Sequence, residues 1–497
     1  MNKTMTMISS KRFSLLLTIP LLVLSGCNKF LEKNPDARAD LDSADKISKL
    51  LVSAYPQASY ASFTEAMSDN SGDKPKLGFD QKVFVPYTFG DLIDDSQDTP
   101  EYYWTNAYAA IAAANQALDA ITKSGHPEDY KSQTGEALVC RAYAHFMLVN
   151  LFSKSYDAAS AASDPGIPYV TEPETVVFKN YSRGTVKDVY DKAEKDLVQG
   201  IPLLNDQGYS VPKYHFTKKA AYAFASRFFL FKKDYQKAVD NASLAFPNNT
   251  FVANMRQWST TYQNYTFIDL LINYTKATEP ANLLLCEASS TYARDYATRR
   301  FGWNTQIRGE TLGSPNAAGS VQWWYSLYLY SQDDYFIPKW NEYFAESFPG
   351  AGYGLPYIMV PLFTTEEVLF NRAEAYIQLG MSDQGIADLN TFCSQRFRNY
   401  NAATMSITAA KSKAFYGSAD DKQALTSTLL DLKRPEFLFE GMRWFDICRY
   451  KMTVTHSYVD GGTPGHTVTV TNTATDPRRL IQLPQSVILS GLALNPR

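Results

Sequence analysis

Apolar residues spaced three and four apart dominate the chain from Tyr102 onward, and the segments that carry them come in pairs. Trp104, Tyr108, Ile111, Asn115 and Leu118 fall along one helical face, and the Ala-rich stretch Glu136–Phe152 supplies an apolar partner. Thr185–Leu204 pairs with Thr217–Phe231, and Asp234–Phe246 follows after a tight corner. Glu366–Leu379 and Ser382–Phe397 form another pair, joined at Gly380. The corners LFKKDYQKAVDNASLAF and AYIQLGMSDQGIADLNTF look like tetratricopeptide units, helix hairpins that bury their faces only against neighbouring hairpins. The expected fold is therefore mainly α, a tetratricopeptide-like scaffold of helical repeats. Its period is irregular because inserts separate the pairs. One insert, about 251–363, reads as a loop-rich and aromatic-rich subdomain. Another, 453–471, alternates Val and Thr around Asp460-Gly461-Gly462 and reads as a short β-hairpin. Trp323–Tyr330 fits an alternating strand and a helix equally well. Upstream, Ile47–Phe63 reads as a helix and Asp69–Pro100, broken by Gly and Pro, as a loop.

The stretch Arg434–Tyr450, RPEFLFEGMRWFDICRY, organises the rest. Pro435 suits a first helical turn, where its missing amide costs nothing. Phe437, Gly441, Trp444, Phe445 and Cys448 then share one face, and Gly441 lets a second helix approach. Arg443, Asp446 and Arg449 succeed one another at three-residue spacing, which reads as an ion-paired outer face over an aromatic core.

The first residues change the picture of location. Lys3, Lys11 and Arg12 precede a short apolar run, Phe13–Leu24, and then Ser25-Gly26-Cys27. That order is a secretory signal (1–26) ending in a lipobox, with Cys27 as the lipidated residue and 27–45 as a polar tether. The run is too short to span a bilayer core of about 30 Å. Losing the signal lowers Lys+Arg from 48 to 45 against 51 Asp+Glu, a net charge of −6. That balance argues against a nucleic-acid partner. Cys140, Cys286, Cys393 and Cys448 form no CxxC pair and read as buried small residues.

Glu436, Phe437, Glu440, Gly441, Arg443, Trp444, Phe445, Asp446 and Arg449 resemble the signature E-F-x-x-E-G-x-R-W-F-D-(L/I)-x-R of the SusD/RagB family of Bacteroidetes outer-membrane lipoproteins. DPGIPYVTEP, VKDVYDKAEKDL, EVLFNRAEAYIQLG and LPQSVILSGLALNPR are similar to further family segments, with Thr364 and Val487 departing from the usual Arg and Glu. The resemblance covers nearly all of 46–497. It implies non-catalytic nutrient capture on the cell surface beside a SusC-like TonB-dependent transporter, with an oligosaccharide or peptide as ligand. It also implies a glycan site near the first helix head and the long insert.

Sugar sites combine flat aromatic faces with forked polar groups. Aromatics make up 14% of the chain, with 33 Tyr, more than a core needs. Trp303, Asn304, Gln306 and Arg308 supply the mixture, with Trp323 and Trp324 nearby in sequence, and Tyr102, Trp104 and Asn106 supply it again. Trp104 also fits a packing role on its helical stripe. The acidic doublets Asp94-Asp95, Asp333-Asp334 and Glu366-Glu367 suggest hydrolysis, but adjacent residues do not face each other across a cleft. No nucleophile elbow, zinc motif or phosphate loop occurs, no cofactor is implied, and His145 reads as a core residue. Surface nutrient binding is the favoured function. A lipid-anchored glycoside hydrolase and a tetratricopeptide scaffold for outer-membrane assembly are the alternatives.

Overall fold

The computed structural model describes residues 41–74, 80–174, 176, 179–460 and 466–497. The signal, Cys27 and most of the tether lie outside the described residues, as do Gly461 and Gly462. The helical pairs form close to where periodicity puts them. In order, the principal helices are α1 (Ala44–Leu51), α2 (Ala61–Met67), α3 (Gln81–Tyr87), α4 (Pro100–Lys123), α5 (Lys131–Phe152) and α6 (Val186–Gly200). There follow α7 (Lys218–Lys232), α8 (Tyr235–Ala245), α9 (Phe267–Tyr274), α10 (Thr365–Gln378), α11 (Ser382–Arg396), α12 (Ala409–Tyr416), α13 (Asp421–Glu436) and α14 (Met442–Arg449). Local chemistry sets their starts. Thr99 caps α4 ahead of Pro100, Thr185 and Asp188 form a capping box on α6, and Thr364 caps α10. Thr364, a departure from the family pattern, thus has a structural task of its own.

Three expectations are corrected. Ile47–Phe63 is two helices with an extended link, because α1 ends before Pro56 and α2 starts at Ala61. The loop Asp69–Pro100 contains α3, capped by Asp80. The aromatic-rich insert contains a three-stranded antiparallel sheet, with β1 (Asn282–Ser289), β2 (Glu342–Glu346) and β3 (Gly354–Thr364) in the order β1-β3-β2. Ser289 and Tyr343 both lie opposite Tyr357 in this register. Pro361 is accommodated beside a bulge at Leu284–Leu285, where ladder bonds are already interrupted. Trp323–Tyr330 is neither helix nor continuous strand: Trp323 bridges Phe397, and Tyr328–Leu329 pairs with Tyr335–Phe336. The expected hairpin is present as β4 (Val454–Val459) against β5 (Thr467–Asn472).

The signature stretch is also not one helix. Pro435 lies in the last turn of α13, and Phe439 and Gly441 adopt left-handed backbone angles before α14 begins. Its charges face inward, each to a distant partner. Arg396 is fully buried and donates to Glu366 (2.7 Å) and Glu436 (2.7 and 3.1 Å). Arg256 joins through its amide to Glu366 (2.7 Å) and through its guanidinium to Asn282 (2.6 Å). Lys339 donates to Glu440 (2.6 Å) and Lys433 to Asp446 (2.8 Å), while Arg449 pairs with Glu374 and Arg443 with Asp69 (2.8 Å twice). Only Asp446–Arg449 matches the expected three-residue pairing, at 3.3 Å. Arg396 gives two of its bonds to Glu436 and holds that carboxyl below its ordinary value, whereas burial dominates at Glu366 and pushes it up.

His145 is a core residue, as its position in an apolar helix predicts. Its Nε2 accepts from the Val170 amide (3.0 Å), its Nδ1 meets the Arg141 carbonyl (2.9 Å), and burial lowers its pKa to about 3. The four cysteines are free thiols. Among the described residues no helix is long and apolar enough to cross a membrane.

Gly441 has φ +74°, and a Cβ there would lie 2.3 Å from Thr64 Oγ1 and 2.8 Å from Ala61 Cα on α2. The close helix approach expected of this glycine is therefore real. Gly441→Ala combines left-handed strain of about 1–2 kcal/mol with a backbone collision. Its unfolding free energy by denaturant titration should fall by at least about 2 kcal/mol.

Candidate carbohydrate platform on the inserted sheet

The end of β1 and the head of α4 are tied together. Asp98, just before the Thr99 cap, accepts from Ser290 Oγ (2.6 Å) and from the Thr291 amide (2.8 Å). The Ser290 amide donates to the Pro356 carbonyl (3.1 Å), which fixes β3 at the same point. The first turn of α4, which carries Tyr102, is thereby held near the ends of β1 and β3.

Strand alternation does the rest. In β3, Pro356 and Ile358 turn inward while Leu355, Tyr357 and Met359 face out. Tyr343 of β2 lies directly across from Tyr357, with the rings stacked at 5.9 Å and 23°. Glu287 of β1 sits on the same face, opposite Met359, and its carboxyl helps to push the Tyr343 phenol up. Tyr214, 41% exposed, adjoins Tyr343, which is itself 39% exposed. Burial first, and then the Glu287 carboxylate, pushes the Tyr343 and Tyr357 phenols up, so both remain neutral hydrogen-bonding groups. The result is a half-exposed aromatic surface with a carboxylate and hydroxyls at its centre. Such a surface can stack on the apolar face of a sugar ring and bond its hydroxyls.

The residues picked from sequence are distributed differently. Tyr102 lies in the first turn of α4, near the ends of β1 and β3; Asn106 is one turn along the same helix and donates to the Tyr102 carbonyl (2.9 Å). Trp104 is packed between Tyr108 and Phe152 and presents no ring face to solvent. Trp303 is only 2% exposed: its Nε1 donates to Thr311 (3.2 Å), and its ring meets Phe439 edge-on at 5.7 Å. The expectation that this indole is a stacking face is thus corrected. Asn304 caps the turn Thr305–Arg308, and Arg308 lies over the Tyr335 ring at 4.7 Å. Trp323 is buried against Phe397 and Tyr325, and half-buried Trp324 is covered by Arg398 at 4.7 Å. The Trp303 and Trp323 stretches therefore have neighbours other than Tyr343 and Tyr357 and do not form their site.

The acidic doublets are engaged structurally. Glu366 lies in the Arg396 network, and Glu367 takes two bonds from Arg227 (2.5 and 2.6 Å). Asp333 accepts from the Thr305 amide (2.6 Å), Asp334 pairs with Lys74 (2.9 Å), and Asp94 accepts from the Ser96 amide (2.8 Å). Among the described residues no group of three His, Cys, Asp or Glu side chains is placed to hold a metal ion.

Comparison with known proteins places this geometry in a family. Residues 29–230 match a family model described as starch-binding, associating with outer membrane, and residues 326–485 match the model of the SusD family. The chain belongs to the SusD/RagB family. Two SusD-like proteins of Formosa agariphila are similar. SusD-like protein P38 is 22% identical over 88% of this chain and 91% of its own length. SusD-like protein P2 is 28% identical over 48% of this chain, a match spanning only 46% of that relative. Solved structures share the fold. A SusD superfamily protein from Bacteroides thetaiotaomicron has TM-score 0.64 at 19% identity, covering 92% of this chain and all of its own. A putative sugar binding protein from Bacteroides vulgatus has TM-score 0.66 at 18% identity, covering 92% and 99%. The family fold is mainly α with tetratricopeptide-like repeats, as the helical pairs indicate.

The platform itself was missed from sequence. Its signal was the run Tyr357–Phe363 opposite Leu283–Cys286, two short apolar stretches bounded by Pro and Ser, which read equally well as strands or packed loops.

Trp303→Ala should act on stability rather than on binding. Removing a buried indole costs about 3–5 kcal/mol, which thermal or denaturant unfolding will register. Saccharide affinity of the remaining folded protein should stay within twofold or so of the parent.

Proposed function

We propose that this protein is a non-catalytic, surface-exposed saccharide-binding lipoprotein that hands its ligand to a SusC-like TonB-dependent transporter. The observation that carries the binding part is the stacked Tyr343–Tyr357 pair, with Glu287 on the same face of the sheet. The family matched by residues 29–230 is described as starch-binding and the Bacteroides vulgatus neighbour as a putative sugar binding protein, which supports a saccharide over a peptide. The lipobox at Cys27 supports anchoring through the N-terminus, with 1–26 removed and 27–45 as tether. Delivery to a transporter rests on membership of the family. Among the alternatives, a hydrolase would need two carboxylates free to face a substrate, and Glu366, Glu367, Asp333 and Asp334 each serve the fold instead.

A captured nutrient must be released again, so affinity should be modest, roughly micromolar to millimolar, or about −8 to −4 kcal/mol. Losing one aromatic face removes a large share of so small a total. An oligosaccharide array followed by calorimetry should show Tyr343→Ala and Tyr357→Ala binding the array's best ligand at least tenfold more weakly than the parent. Unchanged affinity in both variants would place the site elsewhere, and accumulation of cleavage products would assign the protein to the hydrolases.

A further inference from the structure

The platform is unusual in what stands at its centre. This face sets a carboxyl group, that of Glu287, beside the stacked tyrosines Tyr343 and Tyr357, at positions fixed by strand register. Glu287 lies opposite Met359, diagonal to Tyr357 and on the side of the sheet that carries Tyr343. Half-buried, it stands beside the stacked Tyr343–Tyr357 pair. Arg294, the cation on the turn after β1, is engaged with Glu342 at 2.5 Å, and among the described residues no Lys or Arg forms an ion pair with Glu287. The Glu287 carboxyl therefore has no cationic partner among the described residues, and the tyrosine rings beside it add the attraction of their π-faces for a cation. A carboxylate in that setting repels uronic and sulfated sugars and attracts an ammonium group.

We infer that Glu287, set beside Tyr343 and Tyr357, makes this platform selective for saccharides that carry a free, protonated amine. This rests on the saccharide-binding reading of the same surface and adds the class of sugar. The tyrosines hold the ring and Glu287 takes the amine, so the preferred ligand is an oligosaccharide of de-N-acetylated amino sugars.

The test is calorimetry in mildly acidic buffer with four probes: the tetramer of glucosamine, the tetramer of N-acetylglucosamine, maltotetraose and tetragalacturonate. The parent should bind the glucosamine tetramer at least tenfold more tightly than its acetylated counterpart and should not bind the galacturonate measurably. Raising the salt concentration should shrink that preference. In Glu287→Gln the preference should fall to about twofold or less. Equal affinity of the parent for the two amino-sugar tetramers, or a preference that survives Glu287→Gln, overturns the inference. Tyr357→Ala separates the two levels. If it abolishes binding of every saccharide while the amine preference is independent of Glu287, the platform stands and the selectivity fails. If it leaves every saccharide bound as before, the platform itself fails. Binding of an oligolysine peptide through Glu287, with no saccharide bound, would replace the amino sugar by a peptide.

Discussion

Arg396 is the constraint on which the rest of the structure depends. Its guanidinium sits fully buried between two carboxylates from different helices, Glu366 at the start of α10 and Glu436 at the end of α13. Isolated charges are not tolerated in a protein interior, so these three groups fix one another's positions, and with them the helices that carry them. Arg256 and Lys339 extend the arrangement to Asn282 and Glu440 and balance its charge: three cations face the three carboxylates Glu366, Glu436 and Glu440.

That network also positions the face proposed to bind ligand. Asn282, which accepts from Arg256, opens β1, the strand that carries Glu287. Glu366 follows two residues after the end of β3, the strand that carries Tyr357. Both strands are therefore pinned at their inner ends by one buried cluster, while their outer ends reach the head of α4 through Asp98 and Ser290. The scaffold is internally locked, and the aromatic surface is its half-exposed margin. This division suits a protein whose ligands come and go while its frame stays fixed.

How much of this could be read from the chain follows from what periodicity reports. It reports which residues share a face, and so most ends of the helical pairs were legible to within a residue or two, although α5 starts five residues before Glu136 and α6 ends four before Leu204. It does not report partners distant in sequence. Arg443, Asp446 and Arg449 look like surface neighbours at three-residue spacing, yet Arg443 meets Asp69, and Asp446 and Arg449, besides each other, meet Lys433 and Glu374. It also cannot see backbone handedness. The apolar spacing of Phe437, Trp444 and Phe445 runs on as if through one helix, although the chain turns at Phe439 and Gly441. Trp303 shows the same limit for binding sites. A tryptophan followed by Asn, Gln and Arg has the composition of a sugar site, but the indole is interior and Asn304 is spent on a cap. The half-exposed tyrosines Tyr343 and Tyr357, by contrast, are fourteen residues apart in sequence and meet through strand pairing.

The most direct test of this account is a double-mutant cycle between Arg396 and Glu436, using Arg396→Met, Glu436→Gln and the pair, read by denaturant unfolding. A buried lock predicts that each single change is strongly destabilising, by about 3–5 kcal/mol, because it strands a charge. The double change should then cost less than the sum by about 2–3 kcal/mol. Strict additivity, with a coupling below about 0.5 kcal/mol, would contradict the claim that this pair holds the structure together.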